Sequence, residues 1–350
     1  MKPLVSILIP AYNAEKWITY TLRSAIAQTW ERKEIIVVDD GSTDGTAELA
    51  RQFASKMVKV VSTENQGLSG AVNHAFQLCQ GDYIQELDSD DLLAPDKIER
   101  QLAALREGDS KRILLSSPWA YFYYRTRRAR FIPNSLWHDL SPVEWLLRKM
   151  SENLHMQNAT WLVSRELAEA AGPWDTRLHY DQDGEYFSRV LSKSEGTRFT
   201  PEARVFYRAS DSNRISYIGS SDKKRNSLFL SMMLHIQYIR SLEDSERVRK
   251  ACVAYLQNWY GVFYPDRPDI MGLLQSRAAE LQGRLEVPHL GWKFAWMKPV
   301  FGRSTAKWVQ RVLPEAKSSL LRRWDKAMFE FETRKGLPAI PPAMSVAQKD

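Results

Sequence analysis

Cysteine is scarce in this sequence, and long apolar runs are absent from it. Only two of the 350 residues are cysteine, Cys79 and Cys252, and their separation fits neither a disulfide framework nor a zinc knuckle. So few cysteines are typical of a protein in a reducing compartment. No apolar run approaches the roughly 20 residues of a membrane span, and no signal peptide precedes the first predicted strand. We therefore expect a cytoplasmic protein, either free or held at the inner face of the membrane.

The formal net charge of +7 is unevenly divided along the chain. Residues 1–110 hold 11 Lys or Arg against 17 Asp or Glu, whereas the remainder holds 38 against 25. The basic, tryptophan-rich rear part is typical either of contact with an anionic partner, such as membrane headgroups or a lipid diphosphate, or of a solvated basic surface. Because no nucleic-acid-reading module is present, we expect no nucleic acid partner.

Short apolar runs alternate with segments of helical spacing over the first 115 residues. The predicted strands are residues 5–9, 34–38, 58–61 and 83–87. We expect Pro10 to end the first of them, because proline lacks the N–H that a strand ladder needs. The predicted helices are residues 14–28, 46–53, 68–78 and 96–106. Strand–helix–strand repetition at this spacing predicts an α/β fold with a doubly wound, mostly parallel sheet.

The composition of the chain changes twice after this part. Residues 116–207 mix aromatic strands with helices, and the chain after Asp222 reads as almost wholly helical. We therefore expect a catalytic domain over residues 1–220 and a helical C-terminal extension over residues 221–335. The Pro-rich and polar residues 336–350 are typical of a disordered tail.

Clustered carboxylates follow two of the predicted strands. Asp39 and Asp40 end the second strand, and Asp88, Asp90 and Asp91 follow the fourth. Open α/β folds bind their ligands at the carboxyl edge of the sheet, where such residues meet. Because unpaired carboxylates repel each other, a cluster of this kind usually accompanies a cation. The pattern predicts a site for a metal ion and a phosphorylated ligand.

Five ordered motifs resemble those of the family 2 glycosyltransferases of the GT-A fold, over about residues 4–210. They are residues 5–13 (VSILIPAYN), 37–46 (VVDDGSTDGT), 65–73 (NQGLSGAVN), 81–84 (GDYI) and 87–91 (LDSDD). The resemblance implies a GT-A-like sheet and transfer of a sugar from a nucleotide-sugar donor. It also implies the donor-binding residues, which are Pro10, Ala11, Tyr12, Asp39, Gly67, Asn73, Asp88, Ser89 and Asp90.

The side-chain chemistry of individual residues in these motifs also suggests roles for them, independently of the resemblance. Tyr12 offers an aromatic face to a base, and a carboxylate at Asp39 accepts from an imide N–H such as that of uracil. Asp40, Gly41 and Asp44 instead fit a turn and a helix start.

The Asp88-Ser89-Asp90 segment corresponds to the family's metal-binding motif. Mn²⁺ or Mg²⁺ takes hard oxygen ligands, commonly one or two carboxylates and substrate phosphates. We expect Asp90 to contact the metal directly and Asp88 to lie nearer the ribose or the metal's waters. Asp91 either shares this site or caps the following helix. One departure is Val72, where many relatives carry arginine, so another cation would have to hold the donor.

The second half of the expected site follows Gly172-Pro173-Trp174-Asp175, a loop that the family places before its general base. Alignment on Arg189 puts the family's acidic pair on Gln182 and Asp183, so Asp183 inherits the role of base. A base must reach the acceptor hydroxyl and remain ionised. Asp181 and Glu185 are competing assignments, and a helix start favoured by its dipole explains the acids equally well.

Three basic features stay open on the sequence alone. Arg208 either faces the diphosphate or forms a structural ion pair. The cluster over residues 125–130 either grips an anionic acceptor or forms a solvated hairpin turn. The aromatic and basic residues from 291 to 324 either dock on a membrane surface or pack helices onto the domain. We assign no role to His155 or His179.

The sequence thus predicts an inverting glycosyltransferase that uses a nucleotide-sugar, most simply a UDP-sugar, and a glycan or lipid-linked saccharide acceptor. One alternative is a metal-dependent nucleotidyltransferase, although the expected Gly-rich phosphate loop does not follow the first strand. The other is a non-catalytic protein of the same fold that binds sugar nucleotides, which the departures at Val72 and Gln182 leave open.

Overall fold

The computed structural model describes residues 2–209, 218, 221–287 and 321–334. In chain order the strands are β1 (Val5–Ala11), β2 (Lys33–Asp39), β3 (Val58–Ser62), β4 (Tyr83–Glu86), β5 (Leu92–Leu93), β6 (Ile113–Ser116), β7 (Trp119–Phe122), β8 (Arg130–Phe131), β9 (Val163–Ser164), β10 (Gly196–Phe199) and β11 (Val205–Arg208). The helices are α1 (Ile18–Ile26), α2 (Thr46–Arg51), α3 (Gly67–Leu78), α4 (Lys97–Ala103), α5 (Pro142–Glu152), α6 (Arg165–Ala171), α7 (Gln182–Lys193), α8 (Asp222–Leu242), α9 (Glu246–Phe263) and α10 (Pro268–Glu280). Residues 321–333 are also helical and are called the C-terminal helix below.

A five-stranded sheet in the order β3-β2-β1-β4-β9 forms the centre of the fold. Its first four strands are parallel, and β9 runs antiparallel to β4. Two smaller sheets, β10-β6 and β5-β11-β7-β8, complete the domain. The predicted α/β fold with a mostly parallel sheet is confirmed, and the strands and helices expected in the first 115 residues are present with ends that differ by a few residues.

Both faces of the central sheet are covered, which explains why its inner strands β1 and β2 are mostly apolar. Successive side chains of a strand point to opposite faces. Ile7 and Ile9 of β1 therefore join one core, together with residues of α1, α2 and α4. Leu8 of the same strand joins the other core, together with residues of α3, α5, α6 and α7.

Pro10 was expected to end β1, but the strand continues to Ala11 and Pro10 pairs with Val38. The backbone carbonyls of Leu4 and Leu8 accept hydrogen bonds from the N–H groups of Tyr83 and Leu87, on the side of β4. Backbone groups of alternate residues point to the same neighbouring strand, so the nitrogen of Pro10 also points towards the β4 side. The pairing with β4 ends at Leu8. The missing N–H of proline therefore falls where the ladder has already ended, and the strand tolerates it.

Serine residues fix where four of the later helices begin. In each case the hydroxyl accepts a hydrogen bond from a backbone N–H three residues further on, which satisfies one of the unpaired donors of a helix start. These serines precede α5, α6, α8 and α9 and are Ser141, Ser164, Ser221 and Ser245.

Within the described part of the chain, residues 222–280 form three helices, as predicted for the C-terminal region. Helix α8 packs along α7, α9 packs along α5, and α10 packs along α9. Buried residues of these helices, such as Met232 and Leu256, belong to the same core as α3 and α7. Among the helices that the structure describes, none is long and apolar enough to cross a bilayer.

Some expectations for the C-terminal part concern residues outside the described ranges. They include the disordered tail over residues 336–350 and most of the basic aromatic segment, residues 291–320. The division into domains at residues 220 and 335 stays a prediction.

Candidate active site

The carboxyl ends of three neighbouring parallel strands bring the predicted donor-binding residues to one edge of the sheet. Ala11 at the end of β1 lies opposite Asp39 at the end of β2, and Leu8 of β1 lies opposite Glu86 at the end of β4. Tyr12 follows β1 with 52% of its surface exposed. The register therefore places the segment after β1, Asp39 and the turn after β4 on one rim, as the sequence predicted for a ligand site.

Asp40 next to Asp39 has the structural role that the sequence indicated. Its two carboxylate oxygens accept hydrogen bonds from the backbone N–H groups of Gln66 (2.7 Å) and Gly67 (2.9 Å), at the start of α3. Burial raises the pKa of Asp40, although these two bonds oppose the shift. Gly67 has φ of +78°, a left-handed conformation that favours glycine.

The acidic turn after β4 is held by bonds to its backbone. The hydroxyl of Thr21 donates to the carbonyls of Ser89 (2.9 Å) and Asp91 (3.0 Å), and the Nε of Arg208 donates to the carbonyl of Asp90 (2.6 Å). The Oδ1 of Asp88 accepts from the Nδ2 of Asn158 at 2.9 Å. The turn is therefore fixed by three separate elements, which keeps the acidic side chains at the rim of the sheet.

Asp91 does not cap a helix, so that expectation was wrong. Its side chain is fully buried and accepts hydrogen bonds from the backbone N–H of Arg208 and from the Nε2 of Gln157, both at 2.7 Å. Helix α4 begins only at Lys97. Burial, with Asp90 and Asp88 nearby, raises the pKa of Asp91 well above its usual range. Asp91 thus joins the acidic turn to β11.

Arg208 is buried beneath the same turn rather than exposed on the surface. Its guanidinium lies over the ring of Trp17, 3.9 Å from the centroid, and over that of Phe122 at 4.4 Å. A further bond reaches the carbonyl of Tyr123. These contacts give Arg208 a positioning role beside Asp90, and its predicted contact with a diphosphate stays a prediction.

The three candidate bases at the start of α7 have different surroundings. Glu185 is fully buried in an ion pair with Arg189 (2.8 Å) and accepts from the hydroxyl of Tyr238. The Oδ2 of Asp181 accepts from the hydroxyl of Ser231 at 2.5 Å. Asp183 stays partly accessible to solvent at the first turn of α7. Asp181 and Glu185 each accept a hydrogen bond from a side-chain hydroxyl, and Asp183 stays the predicted base.

The pKa of Asp183 is raised, chiefly because the protein around it removes water from the carboxylate. The nearby imidazole of His155 opposes this shift, Asp181 adds to it, and Lys149 opposes it. Desolvation in turn lowers the pKa of His155, which Asp183 partly restores. Asp183 is partly exposed to solvent, and His155 is exposed.

His155 had no role in the sequence-based prediction, and nothing in its sequence context sets it apart. It lies in the segment after α5, which packs against the sheet β5-β11-β7-β8. There its ring centroid lies 5.3 Å from that of Trp119 and 6.4 Å from that of Tyr207. Only tertiary contact identifies it as a neighbour of Asp183.

Glu86 is a second residue that the sequence-based prediction missed, and it links the two halves of the site. It is buried at the end of β4, where its Oε1 accepts from the indole Nε1 of Trp174 at 3.1 Å. Burial raises the pKa of Glu86 well above its usual range, and the charges of Asp88 and Asp183 both add to the shift. Glu86 therefore lies near the acidic turn that carries Asp88 and near the first turn of α7 that carries Asp183.

Asn73 reinforces this link, although the resemblance implied a donor-binding role for it. Its Nδ2 donates to the carbonyl of Trp174 (2.9 Å), and its Oδ1 accepts from the backbone N–H of the same residue (2.8 Å). Both polar groups of the amide thus hold the loop before α7. The indole of Trp174 also stacks on Tyr186 of α7, with ring centroids 4.7 Å apart.

The acidic turn fits a metal that is completed by its substrate. Among the residues that the structure describes, no three His, Cys, Asp or Glu side chains form a group able to hold a metal ion. A complete set of protein ligands is not what Mg²⁺ or Mn²⁺ needs here, since one or two carboxylates and substrate phosphates suffice. Asp88 and Asp90 match that donor set.

The alternative of a solvated turn over residues 125–130 is wrong at Arg125, whereas contact of this cluster with an anionic acceptor stays a prediction. Its side chain is 5% exposed and forms ion pairs with Asp325 (2.7 Å) and Glu332 (3.0 Å) of the C-terminal helix. Trp324 of this helix lies against the guanidinium groups of Arg125 and Arg128, each 4.9 Å from the ring centroid.

Known proteins are similar in sequence to the part of the chain that forms this site. Residues 6–169 match the family model of glycosyl transferase family 2. An uncharacterized glycosyltransferase of Rickettsia typhi is 30% identical over 192 residues, which are 55% of this chain and 60% of the relative. The chain spans 60% or less of the length of the curated relatives it first matches.

Two solved structures share the fold. Staphylococcus aureus TarS 1–349 in complex with UDP-GlcNAc has a TM-score of 0.59 at 19% identity, over 79% of each chain. The mannosyltransferase PcManGT of Pyrobaculum calidifontis, in complex with GDP-Man and Mn²⁺, has a TM-score of 0.52 at 17% identity, over 93% of this chain and 88% of its own. The GT-A fold is confirmed, and residues 6–169, just under half of the chain, are similar to glycosyl transferase family 2.

Proposed function

We propose that this protein is an inverting glycosyltransferase that moves a sugar from a UDP-sugar to a hydroxyl of a glycan or lipid-linked saccharide. The observation that carries the proposal is the 3.1 Å hydrogen bond from the indole of Trp174 to Glu86, which joins the loop before α7 to the strand that ends in the acidic turn. A cleft shared by the acidic turn and Asp183 would allow the donor and the acceptor to meet. The similarity of residues 6–169 to the family supports the class of reaction.

The donor base would lie against Tyr12, with the carboxylate of Asp39 accepting from the imide N–H of uracil. Asp39 is buried at the end of β2, and its Oδ1 accepts from the backbone N–H of Ser42 at 3.3 Å. This bond orients the carboxylate and leaves its other oxygen for a base. The UDP-GlcNAc in the TarS structure supports a uridine donor.

Asp88 and Asp90 would hold Mn²⁺ or Mg²⁺ together with the donor diphosphate. The ion, when bound, supplies positive charge that stabilises the departing nucleoside diphosphate. The Mn²⁺ in the PcManGT structure supports this choice of metal. Arg208 and Thr21 contribute indirectly, since their bonds to the backbone fix the turn that carries both carboxylates.

Asp183 would act as the general base in a single displacement. Its carboxylate takes the proton of the acceptor hydroxyl as that oxygen bonds to the anomeric carbon. The bond between this carbon and the diphosphate oxygen breaks in the same step, so the configuration inverts. A raised pKa suits the role, because a base is most effective when its pKa lies near the working pH.

We also propose that the protein works in the cytoplasm, at the inner face of the membrane, within the synthesis of a cell-envelope polysaccharide. A lipid-linked acceptor would be presented there. The excess of basic residues after residue 110 supports attraction to anionic headgroups.

The proposed function is tested by incubating the full chain with a panel of nucleotide sugars and Mn²⁺. We expect one UDP-sugar to release UDP, slowly by hydrolysis and faster with an acceptor. Asp90→Asn should reduce the release and its dependence on Mn²⁺, whereas Asp222→Asn, on the exposed start of α8, should behave as wild type. Lack of release from every nucleotide sugar would contradict the proposal, as would full activity of Asp90→Asn. Formation of a nucleotide sugar and pyrophosphate in a separate incubation with UTP and a sugar 1-phosphate would instead favour a nucleotidyltransferase.

A further inference from the structure

The small sheet next to Asp183 carries aromatic side chains on both of its faces. In the parallel pair of β7 and β11, Trp119 lies opposite Val205 and Tyr121 lies opposite Tyr207. Because side chains alternate along a strand, Trp119, Tyr121 and Tyr207 share one face. The other face is a conventional core, in which Phe122 is buried. The first face therefore requires a separate explanation.

The rings on this face form one continuous surface. The centroid of Trp119 lies 4.8 Å from that of Tyr121 and 5.9 Å from that of Tyr207, and the two tyrosine rings are 5.1 Å apart. Tyr121 is 52% exposed, and Trp119 and Tyr207 are half-buried. The solvent-facing side of an antiparallel or mixed sheet is usually polar, so a run of large exposed rings marks a binding surface.

His155 connects this surface to the proposed base. Its ring contacts Trp119 edge-on at 5.3 Å and lies 6.4 Å from Tyr207. Its imidazole also opposes the raised pKa of Asp183. We call Trp119, Tyr121, Tyr207 and His155 the aromatic wall. The ring contacts of Trp119 thus join the exposed Tyr121 to a side chain that affects the proposed base.

We propose that the aromatic wall is the binding site for the saccharide acceptor, an inference that rests on the proposed function. A sugar ring presents a face of C–H groups that packs against the negative face of an aromatic ring, while its hydroxyls stay at the edge. A sugar seated on the wall would direct an edge hydroxyl towards Asp183. A diphosphate would be recognised by cations instead, and none of the four rings carries a fixed charge.

The experiment measures UDP release with chitobiose, cellobiose and lactose as acceptor probes, using the donor found above. We expect at least one of them to accelerate release by the wild type. Tyr121→Ala should raise the KM for that saccharide about five- to tenfold, with a much smaller change in the KM for the donor. Tyr121→Trp, which keeps a ring at this position, should restore the KM. Phe331→Ala removes another exposed ring, on the C-terminal helix, and should change neither KM.

The outcomes separate this inference from the function on which it rests. If the wild type releases UDP without an acceptor but no saccharide accelerates it, the wall is not a saccharide site of this kind. An unchanged saccharide KM in both Tyr121→Ala and Tyr207→Ala would also overturn the inference, while leaving the proposed function intact. If no nucleotide sugar is cleaved under any condition, the proposed function itself fails.

Discussion

Asp325 holds the C-terminal helix against residues 124 and 125, and its replacement by alanine should release that helix. The carboxylate is 4% exposed and accepts three hydrogen bonds, from the backbone N–H groups of Tyr124 and Arg125 and from the Nε of Arg125 at 2.7 Å. Next to it, the ring of Phe329 packs among Trp17, Tyr20 and Tyr124, with centroids 5.7 to 6.4 Å apart. Asp325→Ala removes the polar half of this contact.

The expected magnitude follows from the burial of both charges. Removal of one partner of a buried ion pair typically costs about 3–5 kcal/mol, because the remaining charge is left without compensation. Glu332 still lies 3.0 Å from Arg125 and compensates part of that charge. We therefore take the lower value, about 3 kcal/mol, which is roughly a hundredfold increase in the open population of the helix.

Hydrogen exchange detected by mass spectrometry measures this opening directly. We expect protection of the amides in residues 321–334 to fall by about a hundredfold in Asp325→Ala, with a smaller fall in residues 123–128. Lys326→Ala is the matched control, because Lys326 forms only an exposed pair with Glu330, which contributes about 0.5 kcal/mol. Equal protection in Asp325→Ala and the control would refute the buried contact.

Three further predictions concern the active site and its support. The base must be ionised to act, and the pKa of Asp183 is raised, so kcat/KM should rise with pH through a value above the ordinary aspartate range. His155→Gln should move this rise to higher pH, because His155 opposes the raised pKa of Asp183. A pH–rate profile that is unchanged in His155→Gln would count against the proximity of His155 and Asp183. Asn73→Ala should lower the free energy of unfolding by about 1–3 kcal/mol in urea titration, because it leaves the backbone of Trp174 without two bonds. Ser164→Ala should lower the same free energy by about 1 kcal/mol through loss of the α6 cap, and no change would mean that the cap is dispensable.

Periodicity predicted the elements of the first 115 residues because the inner strands there are buried on both faces. Ile35, Ile36, Val37 and Val38 form such a run, and their alternate side chains enter the two cores. The position of Asp39 after this run followed from the same pattern. The expectation at Pro10 was wrong because it considered one strand alone, whereas the cost of a missing N–H depends on where the neighbouring strand ends.

The residues that the sequence did not identify are those whose role depends on distant partners. Arg125 and Asp325 are 200 positions apart, so nothing local marks either as half of a buried pair. Glu86 reads as an ordinary strand residue until Trp174 is placed above it. The motif at residues 87–91 predicted an acidic turn, but only the bonds from Arg208 and Gln157 show that Asp91 faces inward.

The central claim is that Asp183 faces the donor site and removes the proton of the acceptor. The most direct test compares Asp183→Asn with the wild type in two measurements, the rate of transfer and the Kd of the donor by calorimetry. The account predicts that kcat for transfer falls by about 10²–10⁴-fold while the donor Kd changes less than about threefold. Transfer at the wild-type rate, or loss of transfer that is fully explained by loss of donor binding, would contradict it.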